Sequence, residues 1–227
     1  MKEKEKKEKR SYAKRDVSEF NFWRGLFFAL VTKCFYMIRL ILIYRLEVYG
    51  KENIPKHNKY VVAANHLSTL DPPLVGAVMP RPVSFMAKQE LFEIKFIRWW
   101  LDWLGAFAVN REHLGASTIK TAKSISQTEW VLGLFPQGTR CAPGTITGIT
   151  KGFANLAKVT KCGILPVGIV GTEKATHIPF SGKVIVRIGE LIPYNEDVDL
   201  MVSEWTKAIE KLTGFKYIET QELENAE

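Results

Sequence analysis

The chain has little to offer a metal ion or a disulfide framework. Its three cysteines, Cys34, Cys141 and Cys162, are odd in number and far apart, without the paired spacing of metal ligands. Neither a disulfide scaffold nor a zinc site is indicated, and a reducing compartment fits best. No secretory leader is expected, because the apolar region starts only near residue 20 and no small-residue cleavage site follows it.

An uninterrupted apolar run of spanning length is missing as well. Between residues 20 and 46 aromatic and aliphatic side chains dominate, but Arg24, Lys33, Arg39 and Arg45 break the run. A spanning helix needs roughly 20 largely uncharged residues, and Lys33 and Arg39 would sit near its middle at a cost of about 2.5 to 3.5 kcal/mol each. One or two helices lying in the membrane interface fit better, with aromatics and cations at headgroup depth. A core helix hairpin is the soluble alternative.

The net charge of +8 is unevenly spread: residues 1–45 carry 12 Lys/Arg against 5 Asp/Glu, and the remainder carries 20 against 19. A basic arm meets an anionic surface. Because a Leu/Ile/Phe-rich segment and a near-neutral body follow the arm, that surface is read as lipid and not nucleic acid. With 46% hydrophobic residues and no internal repeat or linker, one α/β domain is expected. The organisation read from this is a solvated charged tail at 1–19, membrane-associating helices at 20–46, an α/β body at 47–215 and an acidic tail at 216–227.

What the chain does have is a stretch from Tyr60 to Pro73. Tyr60-Val-Val-Ala-Ala reads as a buried strand running straight into Asn65, His66 and Ser68. Polar chemistry therefore sits at a strand's carboxyl end, where open α/β sheets bind ligands. In a continuous helix Asp71 would lie about 140° round from His66, so the pair needs a turn to touch. Asp71 followed by two prolines predicts an N-cap with Pro at the first helical position. A carboxylate on one imidazole nitrogen leaves the other free as a base; a helix cap and a turn histidine are the bland alternative.

Further strands are predicted at 45–50, 83–88, 105–111, 130–135, 163–170 and 183–188, and helices at 71–79, 89–104, 114–127, 151–158 and 198–212. Residues 141–150, rich in Gly, Pro and Thr, read as a loop. The alternation implies an α/β sandwich with a mixed sheet flanked by helices. Four strand ends carry polar groups: His66 with Asp71, Lys88, Arg111, and the turn Gly138-Thr139-Arg140. A base among several cations suits an anionic substrate, most simply a phosphate, which a Gly/Thr/Arg turn can bind through N–H, hydroxyl and guanidinium.

Asn65-His66-Leu67-Ser68-Thr69-Leu70-Asp71 resembles the N-H-x-x-x-x-D signature of glycerolipid acyltransferases, and Phe135-Pro136-Gln137-Gly138-Thr139-Arg140 resembles their F-P-E-G-T-R. Gly105 to Arg111 and Ile164-Leu-Pro166-Val match two further blocks, in the family's order. The resemblance is to the 1-acyl-glycerol-3-phosphate acyltransferases and spans about residues 60 to 170.

It implies transfer of a fatty acyl group from acyl coenzyme A or acyl carrier protein to lysophosphatidic acid, with no cofactor and no metal, by a monotopic protein on the cytoplasmic face of a membrane. Carried over, His66 is the general base and Asp71 orients it. Arg111, Gly138, Thr139 and Arg140 bind the acceptor phosphate, and Asn65, Ser68, Lys88 and Gln137 support them. No acyl-enzyme at Ser68 is needed, because direct attack by the bound alcohol accounts for the pair. Gln137 departs from the family's Glu and cannot act as a base or add charge. Another lysophospholipid, or glycerol-3-phosphate, is the alternative acceptor, and a non-catalytic lipid-binding module is the alternative class.

Overall fold

The computed structural model describes residues 12–36, 41, 43–109, 115–175 and 182–219. The strands of the main sheet are β1 Glu47–Tyr49, β2 Tyr60–Ala64, β3 Val83–Lys88, β4 Phe107–Val109 and β5 Val131–Leu134, and, after a short β6 Thr145–Ile146, β7 Gly163–Val170 and β8 Ile185–Ile188. Their spatial order is β1-β8-β7-β2-β5-β3-β4. Every neighbouring pair is parallel except β7 with β8, which makes the sheet mixed, as expected.

The helices are α1 Phe22–Ala29, α2 Asp71–Val78, α3 Lys95–Trp103, α4 Ala116–Ile125, α5 Gly152–Thr160, the single turn α6 Thr172–Ala175, and α7 Val198–Thr213. With β2 covered on both faces, all five of its residues are buried, which is why it reads as a continuous apolar run and not an alternating one. On one of those faces lies α7, started by Asp197, whose side chain accepts from Asp199 N and Leu200 N, and ended by Gly214 in a left-handed conformation. Its buried Trp205 donates from Nε1 to Ala63 O at 3.0 Å, one residue from the end of β2.

Of the two segments read as charged tails, the described parts, 12–19 and 216–219, make contacts with the body. Tyr12 and Ala13 lie against a small core of Ala87, Phe92, Ala106 and Ala108. Arg15 is only 1% exposed. Its Nε and one terminal nitrogen donate to Ala106 O at 3.0 and 2.6 Å, and the other terminal nitrogen pairs with Asp102 at 2.6 Å and Glu19 at 2.8 Å. Arg24 joins Asp102 at 3.2 Å. The lysine-rich pattern conceals this, since one arginine with every nitrogen of its guanidinium hydrogen-bonded can be buried where a run of lysines cannot. At the other end, β9 Lys216–Tyr217 pairs with β6 in parallel, and Ile218 N donates to Ile146 O at 3.0 Å. The supposed acidic tail thus begins by fastening the 141–150 loop, whose Ile146 is fully buried.

After α1 the chain continues as a π-helical segment, Leu30–Tyr36. Phe20 and Phe28 both pack on the Trp130 ring, each with centroids 5.5 Å apart. Lys33 Nζ donates to Ala77 O at 2.7 Å and also to Met79 O, closing the carboxyl end of α2. Burial, and secondarily the nearby charge of Lys51, pushes the Lys33 ammonium below its usual range. Arg39 lies outside the described residues. Among the described residues no helix is long and apolar enough to cross a membrane.

Expected outcome: Arg15→Ala lowers the unfolding free energy by about 2–3 kcal/mol, because Ala106 O and Asp102 lose a buried partner. A urea denaturation midpoint equal to that of the unsubstituted chain would refute it.

Candidate active site

At the carboxyl end of β2 the backbone leaves the sheet through Asn65. That residue turns its side chain to the neighbouring strand. It is buried, and its carboxamide makes a two-way pair with the next strand, Nδ2 donating to Ile169 O at 2.9 Å and Oδ1 accepting from Ile169 N at 2.7 Å. The pair extends the β2–β7 ladder past its last strand residue and fixes where His66 begins.

Asp71 is not the helix cap that its prolines suggest. It is the first residue of α2, following Leu70 as N-cap, and its carboxylate turns back over the preceding loop. Oδ2 accepts from Leu67 N at 2.6 Å, from Ser68 N at 2.7 Å and from His66 Nδ1 at 2.8 Å. An ionised carboxylate only accepts, so opposite an ionised Asp71 a neutral imidazole would carry its proton on Nδ1 and keep the Nε2 lone pair. Asp71 is fully buried, while the His66 side chain is 12% exposed. Among the described residues His66 Nε2 has no protein partner. The Ser68 hydroxyl instead accepts from Leu70 N at 3.3 Å.

The turn after β5 holds His66 from three directions. Phe135 stacks on the imidazole with centroids 4.2 Å apart, Gln137 Oε1 accepts from His66 N at 2.9 Å, and Cys141 N donates to His66 O at 2.9 Å. Gly138 closes the turn through its N–H to Phe135 O at 2.9 Å and has φ of +68°, a region that side chains with a Cβ rarely adopt. Thr139 and Arg140 are exposed. Gly138, Thr139 and Arg140 therefore belong to the same segment that holds His66.

Lys88 is farther off: it ends β3, two strands from β2, and its ammonium pairs with Glu90 at 3.5 Å. Arg111 lies outside the described residues. No group of three or more His, Cys, Asp or Glu suited to a metal occurs among the described residues.

Some contributors escape a reading for chemistry-bearing side chains. Phe85 stacks on Phe135 at 5.7 Å and so backs the ring that supports His66. Gly133 makes room for it: a Cβ there would come within 2.5 Å of both Phe85 Cε1 and Val83 Cγ1. A glycine inside a strand pattern is the available signal, since it marks close approach.

An imidazole held at one nitrogen and open at the other is chemically able to take a proton from a hydroxyl without forming a covalent bond of its own. Residues 45–170 match the sequence model of the family described as Acyltransferase. That is more than half of the chain, and the chain belongs to this acyltransferase family. It is 32% identical over 160 residues to the 1-acyl-sn-glycerol-3-phosphate acyltransferase of Bacillus subtilis, covering 69% of this chain and 79% of that protein. Against the Saccharomyces cerevisiae protein of the same name it is 30% identical, covering 70% of this chain and 55% of that protein. The chain thus spans little more than half of the yeast relative. In fold it is similar to the crystal structure of the LPA acyltransferase PlsC from Thermotoga maritima, with a TM-score of 0.65 and 24% identity, over 81% of this chain and 77% of that one.

Expected outcome: Gly133→Ala displaces Phe85 and Phe135, costs about 1–3 kcal/mol of stability and lowers kcat/KM roughly tenfold. Turnover per folded molecule checks this, and an unchanged kcat/KM would refute it.

Proposed function

We propose that the protein moves a fatty acyl group from an acyl thioester, on coenzyme A or acyl carrier protein, to the free sn-2 hydroxyl of 1-acyl-glycerol-3-phosphate, forming phosphatidic acid. The observation that carries this reading is the His66–Asp71 pair at 2.8 Å, open at Nε2 and clamped by the segment that runs on into Gly138, Thr139 and Arg140. The names of the Bacillus and yeast relatives support the acceptor.

In this reading the acceptor's phosphate binds the 138–140 turn and Arg111, which brings its hydroxyl to Nε2. As the hydroxyl oxygen attacks the thioester carbonyl, Nε2 takes its proton and Asp71 stabilises the imidazolium. Collapse of the tetrahedral intermediate breaks the carbon–sulfur bond, and the imidazolium returns the proton to the departing thiolate. Ser68 takes no part, consistent with its hydroxyl being engaged by Leu70 N. The structural reason to expect substrate on this segment is geometric: the residues that grip the phosphate and those that hold the base are consecutive, so binding and proton transfer share one rigid support.

The enzyme is proposed to work on one leaflet of a membrane, at the cytoplasmic face. Two helices present apolar side chains outward. On α1 and the segment after it these are Phe22, 74% exposed, with Trp23, Leu26 and Leu30; on α3 they are Phe96, 69% exposed, with Trp99 and Trp103. The Phe27 ring sits against Trp99, Trp100 and Trp103 with centroids 5.4–6.2 Å apart, which joins the two into one aromatic face. Such a face suits the interfacial depth of a bilayer. There the enzyme meets chains whose extraction into water would cost about 0.8 kcal/mol per CH₂.

Thiol release from the acyl donor, with and without lysophosphatidic acid, tests the chemistry: wild type shows acceptor-dependent release, and His66→Ala lowers it about 10²–10⁴-fold. Tight vesicle binding without release from either donor would favour another acceptor or a lipid-binding module. Substituting Phe22, Trp23, Phe96 and Trp99 by serine is expected to lower binding to anionic vesicles by roughly tenfold or more. Point substitutions are the apt test because Arg15, Phe20, Phe28 and Tyr44 are buried in the core, so deleting the first 45 residues would damage the fold. Undiminished vesicle sedimentation of the quadruple variant would refute the membrane face.

A further inference from the structure

Gln137 occupies the position where the family's signature carries Glu. It is buried, and its oxygen is committed, because only an oxygen can accept the His66 N–H that lies 2.9 Å away. The chemistry of that contact therefore settles which end of the amide is which. Its NH₂ group donates to no protein acceptor among the described residues. The amide nitrogen is not among the side-chain atoms that are both sealed from solvent and unpartnered, so a group entering from solvent can reach it. The next residue, Gly138, opens the turn proposed to hold an anion, and a Cβ at Gly138 would meet nothing within 4 Å, so there is space for a group to approach.

We propose that Gln137 has two separable roles in this chain: Oε1 is a positioning contact that holds the backbone of the base, and Nε2 donates to an anionic oxygen of the acceptor headgroup. This rests on the acyl-transfer reading above. A glutamate would supply the same acceptor to His66 N, but it would put a negative oxygen where the amide has its donors, facing a phosphate with repulsion instead of a hydrogen bond. A methionine would match the shape and supply neither.

The test is steady-state kinetics of the full chain with lysophosphatidic acid and acyl donor, giving kcat and both KM values for wild type, Gln137→Glu and Gln137→Met. Gln137→Glu is expected to raise the acceptor KM roughly tenfold while kcat changes by less than about threefold. Gln137→Met is expected to lower kcat roughly tenfold or more as well, since His66 N loses its acceptor. In both variants the donor KM stays within about twofold of wild type, which a general distortion of the fold would not allow.

A wild-type kcat in Gln137→Met would overturn the positioning role, and an unchanged acceptor KM in Gln137→Glu would overturn the donor role. Should Gln137→Met not fold, Gln137→Glu still decides the matter, because it keeps the oxygen and changes only the donor end. Calorimetric binding of lysophosphatidic acid separates this from the broader reading. Wild type that binds it without turnover would count against acyl transfer, whereas Gln137→Glu binding it as strongly as wild type would overturn the donor role.

Discussion

A single carboxylate oxygen, Asp71 Oδ2, gathers three N–H donors within 2.8 Å: two from the loop backbone and one from the His66 ring. Leu67 N and Ser68 N both donate to the oxygen that meets the imidazole, so the same contact that closes the turn also orients the ring. Folding and chemistry are thereby joined in one charge. The cost of burying it is offset by these three donors on Oδ2 alone, since Oδ1 is buried without a partner among the described residues.

The sheet supplies the precision. β2 is the middle strand of seven, flanked by β7 and β5, and both flanking strands reach past its end to hold the residues that follow. Ile169 of β7 fixes Asn65, and the turn after β5 fixes His66 by ring, N–H and C=O. A side chain placed on an unsupported loop would wander; here His66 N and O are both held by the segment that follows β5, and Leu67 N by Asp71 at the start of α2. The N-terminal segment is bound into the same body through Arg15, Ala106 and Asp102. The aromatic face of α1 and α3 is consequently held in one orientation relative to the sheet.

Much of this was legible because it is local. Parallel strands covered on both faces leave unbroken apolar runs, as at Tyr60–Ala64 and Gly163–Val170, and both runs coincide with strands. Helices with capping residues at their ends, such as Val198–Thr213, were also readable. Less legible were elements whose signal lies in a distant partner. β6 and β9 have two residues each and form only because each offers the other a ladder. The alternating Lys/Glu pattern at the N-terminus reads as solvated, yet Arg15 is drawn in by Ala106 O and Asp102, residues about ninety positions away.

The linear chain by itself determined the alternating α/β pattern, the strand-end placement of His66 and the five-residue spacing to Asp71, since these depend on side-chain periodicity and on turns that neighbouring residues make. It also carried the interruption of the apolar run by Lys33, and among the described residues no helix is long and apolar enough to cross a membrane. Only tertiary structure decided that Asp71 reaches back over the loop instead of capping its helix. It likewise decided that Gln137 grips the backbone of the base, and that the outward side chains of α1 and α3 form one face. Each of those requires two segments to meet, and which segments meet is settled by the packing of the whole sheet.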